Sequence, residues 1–386
     1  MPELPAGRDG EPSLSPRMRR LREDPLEVVD RLADTIGARP ATSVAEAKAA
    51  AYLNGRLRRA GMQVSIDTFE TRVPPGFDSG LIALIALVTL ILGFWFPLLA
   101  PVPAFVCLFV ASIGALLRMP LIGRQRISQN VIATRAAIEA PRATVILLLA
   151  LDTLPGYAPW LAPVCAGERG RWLRVALAAA LVAATLAGAV EARYGWWYLQ
   201  VVAVLLLALY AGAEAWAWRS GSAGAASHAG AAAAALVGAS TLNSLDHTQL
   251  WVVGLGAMTA GAGLADLLRR YPFERETTLF VGLEAIGRGV PHGITAAADA
   301  VLVQQVQACA APLAARLRGS SMLIAQQLRA AGKRAVTIAC LDATGRVAQY
   351  ATAADQAADI DPEVLEAAAE LVICLVRQID INQPLP

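Results

Sequence analysis

The sequence predicts an α/β protein, a mixed sheet flanked by helices, into which two hairpins of transmembrane helices are inserted. Residues 144–153, TVILLLALDT, form an apolar run that stops at turn residues, which is typical of a strand buried on both faces of a parallel sheet. Strand and helix patterns alternate through the second half of the chain. The mean hydropathy is +0.49 and 17% of the residues are charged, which is too apolar for an ordinary soluble protein.

The amino-terminal part reads as two helices and a strand. A Pro-rich, charged segment without an apolar stretch predicts a disordered lead over residues 1–25 and no signal peptide. Apolar residues at helical spacing predict a helix over 26–37. The next helix begins at a capping box, in which Ser43 and Glu46 satisfy each other's amides. The first strand follows over residues 63–71.

The first apolar block is free of charge from Ser79 to Leu117, and prolines divide it near its middle. A membrane span needs about 20 apolar residues at about 1.5 Å each. The block therefore predicts a hairpin with spans over 80–97 and 103–117, of which the second is short.

The second apolar block begins at Trp172 and predicts spans over 175–190 and 194–213. A soluble core helix seldom runs so long without a polar face. Aromatic side chains lie near the ends of these spans, as in the aromatic belt of membrane proteins. They are Trp172, Trp196, Trp197, Tyr198, Trp216 and Trp218.

Arginines flank the α/β side of both blocks, whereas the hairpin tips carry only Glu191 and Arg193. The positive-inside bias predicts an integral protein of the plasma (inner) membrane, with the α/β domain and both termini in the cytoplasm. The lipid bilayer is thus one expected partner. The flanking arginines are Arg118, Arg124, Arg126, Arg169, Arg171, Arg174 and Arg219.

The rest of the chain continues the α/β pattern and completes the domain boundaries. Expected strands cover 128–134, 249–257, 277–287 and 334–342, and expected helices cover 227–243, 262–272, about 297–317, a stretch ending at AAGK, and a stretch from Asp361. The predicted organisation is a lead (1–25), α/β domain (26–78), hairpin (79–118), central strands (119–171), hairpin (172–218) and the remainder of the domain (219–386).

Charge and cysteine content limit the function. The net charge of +2 gives no argument for a nucleic-acid partner. The cysteines are odd in number, widely spaced and free of C-x-x-C pairs, which predicts buried thiols of a cytosol-facing protein and no disulfide framework. They are Cys107, Cys165, Cys309, Cys340 and Cys374.

The order of segments resembles a known family. GARP, Ser43, AAAYLNGRLRRAG and QVSIDTFET follow its pattern R-P-x-x-S, A-x-Y-L and first strand, and NVIA matches its next strand. This order is similar to metallopeptidase family 28, the di-zinc aminopeptidases of the aminopeptidase Y and leucyl aminopeptidase type. The resemblance implies an aminopeptidase-like fold and, in an intact member, two zinc ions and peptide hydrolysis.

The family's zinc ligands and base are a His at the end of the central strand, a bridging Asp in D-N-A-S-G, a Glu-Glu pair, an Asp in N-x-D-x-x-G and a late His in Y-H-T. In this chain, Ala or Met stands at most of these positions. Neither can bind zinc as such positions require, and the general base is absent. We therefore expect no catalytic, cofactor or metal site. The matching residues here are Ala150, Ala226 (or Ser227 or His228, if the alignment slips), Met258 and Thr259, Glu284, and Ala351.

Other candidate residues give weaker signals of function. Asp152 would orient the missing central His in the family, and without that partner we expect it to cap a turn. The histidines, His228, His247 and His292, are expected to be solvated or capping. Glu214 is expected to be a solvated glutamate at the membrane interface. Ser320 and Ser321 have no paired His, and the chain contains no P-loop and no G-x-S-x-G elbow.

Three functions remain open from the sequence. The first is a catalytically inactive, membrane-embedded pseudo-peptidase that binds a protein, peptide or lipid partner or acts as a scaffold. The second is a hydrolase with an altered metal site around Glu284, Asp152 and a histidine. The third is a transport component with a regulatory cytoplasmic domain, although the spans carry almost no polar residues. Because the second hairpin follows the central strand, we expect the vestigial pocket to approach the membrane.

Overall fold

The computed structural model describes residues 23–73, 77–117, 124–191, 194–315 and 324–382. Of the predicted disordered lead, only residues 23–25 are among them. Arg118, Arg193, Ser320 and Ser321 also lie outside the described residues.

One eight-stranded mixed sheet forms the centre of the protein, in the order β1-β2-β4-β3-β5-β8-β6-β7. Strands β4, β3, β5 and β8 are parallel neighbours, β1 and β2 extend the sheet antiparallel on one side, and β6 pairs antiparallel with β8 on the other. The strands are β1 Gln63–Val73, β2 Arg124–Arg135, β3 Ala143–Ala150, β4 Thr248–Leu255, β5 Thr278–Glu284, β6 Val290–Ile294, β7 Leu313–Ala314 and β8 Arg334–Leu341.

Helices cover both faces of the sheet and form a separate bundle. The helices are α1 Pro25–Val29, α2 Val44–Arg59, α3 Phe77–Trp95, α4 Pro101–Leu117, α5 Ala162–Cys165, α6 Gly167–Glu191, α7 Tyr194–Ser220, α8 Gly230–Thr241, α9 Ala262–Arg270, α10 Ala300–Ala308, α11 Ile324–Ala330 and α12 Pro362–Asn382. Helices α1, α2, α8, α10 and α12 pack on one face, and α9 and α11 on the other.

Strand β3 is the central strand that the apolar run predicts. It pairs in parallel with β4 on one side and β5 on the other. Its side chains alternate between the two cores, Val145 and Leu147 on one face and Ile146 and Leu148 on the other. All four are fully buried, because helices cover both faces.

The bundle is formed by α3, α4, α6 and α7, which pack around a core of their own. Small side chains such as Ala86, Ala104 and Ala178 are buried inside, whereas large apolar side chains such as Phe105 and Leu209 point outward. Larger residues such as Leu181 and Leu207 are buried inside as well, and small residues between helices together with an apolar exterior are typical of helices packed in lipid. Three of the four, α3, α6 and α7, are long and apolar enough to cross a membrane, and α4 is shorter.

Glu214 is paired, which corrects the expectation of a solvated interfacial glutamate. Its carboxylate accepts a hydrogen bond from the Ser79 hydroxyl on α3 and lies 3.7 Å from the Arg174 guanidinium on α6. Arg174 also donates to the Ser79 hydroxyl at 2.7 Å. The Arg174 and Glu214 side chains are only 13% and 15% exposed. This cluster joins three helices of the bundle.

The predicted helix over 297–317 is wrong beyond residue 308. Helix α10 ends at Ala308 because Ala310 takes a left-handed backbone conformation (φ 55°), and the short strand β7 follows. Strand β6 was not predicted either, because Pro291 and Gly293 weaken its strand pattern and pairing with β8 forms it.

The prediction of unpaired thiols is also wrong in one place. Cys309, at the end of α10, forms a disulfide with Cys374 of α12. These residues are 65 positions apart, and only the packing of α10 against α12 brings them together. Cys107, Cys165 and Cys340 are free and buried, as expected. The cysteines therefore give no support for a reducing, cytosolic location.

Candidate functional site at the carboxyl edge of the sheet

The residues that match the family's zinc ligands and base are here called the vestigial positions. Several of them lie where the parallel strands end. Ala150, the last residue of β3, pairs with Leu255, the last residue of β4, and Glu284 is the last residue of β5. Ligands and catalytic groups collect at this edge in open α/β sheets. Asp152 and the turn Gly256–Thr259 follow these strand ends directly.

Two buried carboxylates bind the turn that follows β4. Ala257 has a left-handed backbone (φ 45°), a conformation that costs a non-glycine residue about 1 kcal/mol or more. The Ala257 amide donates to Glu46 at 2.6 Å, and the Met258 and Thr259 amides donate to Asp152 at 2.8 and 2.9 Å. Three successive amides are thus satisfied by carboxylate oxygens, which stabilises the strained turn.

Asp152 caps this turn, as its sequence context predicts. It is fully buried, and both its oxygens accept hydrogen bonds, Oδ2 from the Thr259 hydroxyl as well. Burial raises the pKa of Asp152, against the lowering effect of these hydrogen bonds. Both oxygens of this carboxylate are thus bound by donors of the turn.

Glu46 has a second role that the sequence did not reveal. Half of the predicted capping box is present, because the Glu46 amide donates to Ser43 Oγ at 3.1 Å. The Glu46 carboxylate, however, accepts from the Thr42 amide at 2.6 Å and not from the Ser43 amide. The same carboxylate binds the Ala257 amide, 211 residues away. Burial, and then the charge of Asp152, raises the pKa of Glu46 to about 7.

The segment Ala225–Ala229 is a π-helical turn, and it is fixed by Asp355. The Asp355 carboxylate accepts from the Ala226 amide at 2.7 Å and from the Ser227 amide at 3.1 Å. Burial raises the pKa of Asp355, despite these bonds and the charge of Arg39. Asp355 thus binds the backbone at the place where the resembled family has its bridging carboxylate.

Ser227, His228 and Asp355 are in contact but do not form a catalytic triad. The Ser227 hydroxyl donates its single hydrogen to Asp355 at 2.6 Å, so the His228 Nδ1 atom, 2.8 Å from that hydroxyl, must carry a hydrogen and donate to it. Burial lowers the pKa of His228 to about 3, so the ring is neutral near pH 7. A triad needs a histidine that accepts the serine hydrogen, and this arrangement is the opposite.

Arg39 is the buried cation of this region. Its guanidinium donates to the carbonyl oxygens of Leu151 at 3.0 Å and Gly37 at 2.8 Å, and its backbone exchanges hydrogen bonds with Thr153. Burial lowers its pKa to about 10, against the raising effect of Asp355 and then Asp152, so it stays charged at neutral pH. Arg39 therefore offsets carboxylate charge at this edge.

Glu284 keeps a carboxyl group, but in neutral form. Its Oε1 accepts from the Ile324 amide, and its Oε2 has no hydrogen-bond partner among the described residues. Burial raises the pKa of Glu284 to about 8, so the protonated acid predominates at pH 7. A protonated carboxyl is neither a general base nor a good metal ligand.

Ala351 links the vestigial site to the bundle. It packs in a buried cluster with Leu154 and Tyr157, which follow β3, and with Tyr210 and Ala217 of α7. The edge of the sheet that carries the site therefore contacts the membrane-length helix α7.

The histidines lie apart from one another. His247 precedes β4 at the opposite edge of the sheet, 3.4 Å from Glu139, and His292 lies in β6 with its Nδ1 2.6 Å from the Val290 carbonyl oxygen. His228 is buried, contrary to the expectation of a solvated or capping ring. Within the described ranges, no group of three or more His, Cys, Asp or Glu side chains could hold a metal ion.

The donors at this edge do not fit zinc. Tetrahedral zinc sites need nitrogen, sulfur or carboxylate ligands with free lone pairs directed at one point. Here the carboxylates of Asp152 and Asp355 face backbone amides, and Glu284 is protonated. The other positions are Ala150, Ala226, Met258, Thr259 and Ala351, of which only Thr259 has a side-chain oxygen, and that hydroxyl donates to Asp152.

No family model matches the chain, and no curated protein matches it. Among solved structures, it is similar to the aminopeptidase of Aneurinibacillus sp. strain AM-1 (TM-score 0.59, 13% identity, covering 96% of this chain and 98% of that one). It is also similar to BSAP, a zinc aminopeptidase from Bacillus subtilis (TM-score 0.56, 12% identity, covering 91% of this chain and 93% of that one). A third similar structure is a Bacteroides thetaiotaomicron glutaminyl cyclase (TM-score 0.55, 13% identity, covering 93% of this chain and 97% of that one).

The chain has the zinc-aminopeptidase fold. Identities near 12% show this fold alone and leave the chemistry to the residues of this chain. Within the aminopeptidase-like fold, the strand ends that carry the vestigial positions are in place, and amides and apolar side chains surround them. The fold predicted from the segment order is thereby confirmed.

Replacing Asp152 with Asn should destabilise the folded protein by about 2 kcal/mol, because an amide NH₂ would face a backbone N–H that now meets a carboxylate oxygen. Thermal or denaturant unfolding of the detergent-purified protein measures this. Asp342→Asn is the matched control, because Asp342 also accepts two amides and a hydroxyl but in an exposed turn. Asp342→Asn should lower the free energy of unfolding by about 0.5 kcal/mol or less. Equal costs for the two variants would contradict the role given to Asp152.

The stability of the protein should fall as the pH rises from about 4.5 to about 8. The pKa of Glu284 is near 4.5 in an unfolded chain and about 8 in the folded protein, so over this range the folded state binds a proton that the unfolded state releases. Glu284→Gln, a neutral mimic of the protonated acid, should reduce this slope. The slope that persists should combine Glu46, whose folded pKa is about 7, and Asp152 and Asp355, whose pKa values burial also raises, with an opposite contribution below about pH 6.5 from His228, whose folded pKa is about 3. Melting curves at several pH values test this, and an unchanged slope in the variant would refute a protonated Glu284.

Proposed function

We propose that this protein is a membrane-embedded, non-hydrolytic relative of the zinc aminopeptidases that acts by binding a protein or peptide partner or as an assembly scaffold. The observation that carries the proposal is the hydrogen bonding of Asp152. Its carboxylate, which matches the aspartate that orients the zinc-binding His in the family, accepts from the amides of Met258 and Thr259, the residues at the positions of the Glu-Glu pair. A group that orients a zinc ligand in the family therefore stabilises the backbone here.

The loss extends to every step that hydrolysis requires. Metal-assisted hydrolysis needs a metal to lower the pKa of water and a base to take its proton. Glu284 is protonated at neutral pH, and His228 gives its Nδ1 hydrogen to Ser227. The general-base position is Met258 or Thr259, which cannot take a proton. What the edge retains is a rigid framework, which suits a binding or scaffolding role.

The membrane location is supported by the construction of the bundle. Its exterior carries large apolar side chains, alanines pack between its helices beside larger apolar residues, and the Arg174–Glu214 pair is turned inward. Charged pairs inside a lipid-embedded bundle face one another because exposure to hydrocarbon is costly. The bundle also packs against the vestigial edge through Tyr210 and Ala217. A partner bound at the α/β domain would thus lie close to the bilayer.

The detergent-purified protein should contain close to no zinc and show no turnover of chromogenic amino-acid substrates. Elemental analysis and an aminopeptidase assay, run beside an active zinc aminopeptidase, measure both. Glu284→Ala serves as the matched variant, because the altered-site hydrolase predicts that it abolishes activity. About two zinc ions per chain with turnover that Glu284→Ala removes would overturn the proposal.

The α/β domain should face the cytoplasm, as the arginines beside the apolar blocks indicate. The Cys309–Cys374 disulfide favours the other side, because disulfides are rare in the cytosol. A green fluorescent protein fused after residue 386 should fluoresce, and an alkaline phosphatase fused there should be inactive. If the domain is cytoplasmic, Cys309 and Cys374 should be reduced, and they should therefore react with maleimide in freshly lysed cells. Active phosphatase would place the domain outside the cytoplasm. The disulfide, and not the arginine distribution, would then indicate the orientation of the protein.

A further inference from the structure

The segment between β3 and α6 runs along the end of α7 nearest the α/β domain. The Gly156 amide donates to the Ala217 carbonyl oxygen at 2.9 Å, and the Tyr210 hydroxyl donates to the Cys165 carbonyl oxygen at 3.2 Å. Residues 210 and 217 are about 10 Å apart along a helix at 1.5 Å per residue. Residues 157–165 therefore lie beside this end of the bundle, and they include the short helix α5.

This segment has two faces of different character. Tyr157, Ala162 and Cys165 are buried against the bundle in the cluster that also contains Ala351. Trp160 and Val164 point away from it and are 75% and 51% exposed. An exposed tryptophan beside an exposed valine is costly in water and is common where a protein meets the polar region of a bilayer.

Neighbouring side chains continue this surface at the same height. Trp172 of α6 and Trp216 of α7 are 50% and 65% exposed. Helix α6 begins in contact with the segment, because a side chain at Gly170 would overlap the Cys165 carbonyl oxygen and the Tyr210 hydroxyl. Trp160, Trp172 and Trp216 thus surround the domain-proximal end of the bundle, and we call these three residues the tryptophan collar.

Two exposed arginines accompany the tryptophan collar. Arg169, in the first turn of α6, reaches back to the Pro163 carbonyl oxygen at 3.5 Å, and Arg219 lies in the last turn of α7. Cationic side chains next to interfacial tryptophans are positioned to bind lipid phosphates. Since the segment is held against α6 and α7 by its buried side, its exposed apolar residues lie close to the exposed tryptophans of these helices.

We infer that residues 157–165 form a membrane-interface foot, in which Trp160 and Val164 insert among the headgroups of an anionic phospholipid surface and Arg169 and Arg219 bind its phosphates. The inference rests on the proposed membrane location of the bundle. The foot is attached to the loop that follows β3, so it sets the height of the vestigial edge, with Ala351, above the bilayer.

The test measures the tryptophan emission of the protein in nanodiscs of phosphatidylcholine and phosphatidylglycerol, with or without bromine on the acyl chains near the headgroups. Bromine quenches only tryptophans that lie in the lipid. The emission of Trp160 is obtained as the difference between the wild type and Trp160→Phe. We expect this difference to be lost in brominated lipid and to shift to longer wavelength when phosphatidylglycerol is omitted.

Three matched variants separate the possible outcomes. Trp251→Phe reports on a tryptophan of β4 packed against Tyr271 and Phe273, which should not be quenched. Trp216→Phe reports on a tryptophan of α7 at the height of the foot, and Trp95→Phe on one at the far end of α3. Quenching of Trp216 without Trp160 would overturn the foot and leave the membrane location intact. Quenching of Trp95 alone would place Trp160 and Trp216 in water and overturn the foot, and quenching of none would overturn the membrane location itself.

Discussion

The turn after β4 is the constraint on which the vestigial edge depends. Its three successive amides, from Ala257 to Thr259, point into the protein where water cannot satisfy them, and an unpaired buried amide would cost about 1–3 kcal/mol. Glu46 and Asp152 satisfy all three. Since Glu46 begins α2 and Asp152 follows β3, one short turn fixes a helix and two strands. The carboxylates in turn need these donors, because their burial without partners would be far more costly.

Charge at this edge is balanced by the protein itself. Buried carboxylates in a metal site are balanced by the metal, whereas here backbone amides and the single buried guanidinium of Arg39 do so. Glu284 shows the alternative outcome. Its carboxyl group has one amide partner and no cation close to it among the described residues, and its burial favours the protonated form. The hydrogen bonds of Asp152 and Asp355 hold the backbone at this edge.

The membrane-length helices are joined to the chemistry-bearing edge of the sheet. Helix α7 contacts the loop after β3 through Ala217 and Tyr210, and the same cluster contains Ala351. Insertion of the second hairpin next to the central strand makes this contact unavoidable, because the chain leaves and re-enters the domain at that edge. The bundle therefore packs against the loop that follows the central strand.

Local patterns in the sequence determined the central strand, the two apolar blocks and the lack of zinc donors at positions 150, 226, 258 and 351, because burial on two faces, span length and residue type are each readable within a few residues. The tertiary structure alone decided the contacts between distant residues. Glu46 meets Ala257 only because β2 lies between β1 and β4, Cys309 meets Cys374 only because α10 packs on α12, and Glu214 finds Arg174 only inside the bundle. Such pairings depend on sheet order and helix packing, which periodicity along a single chain does not encode.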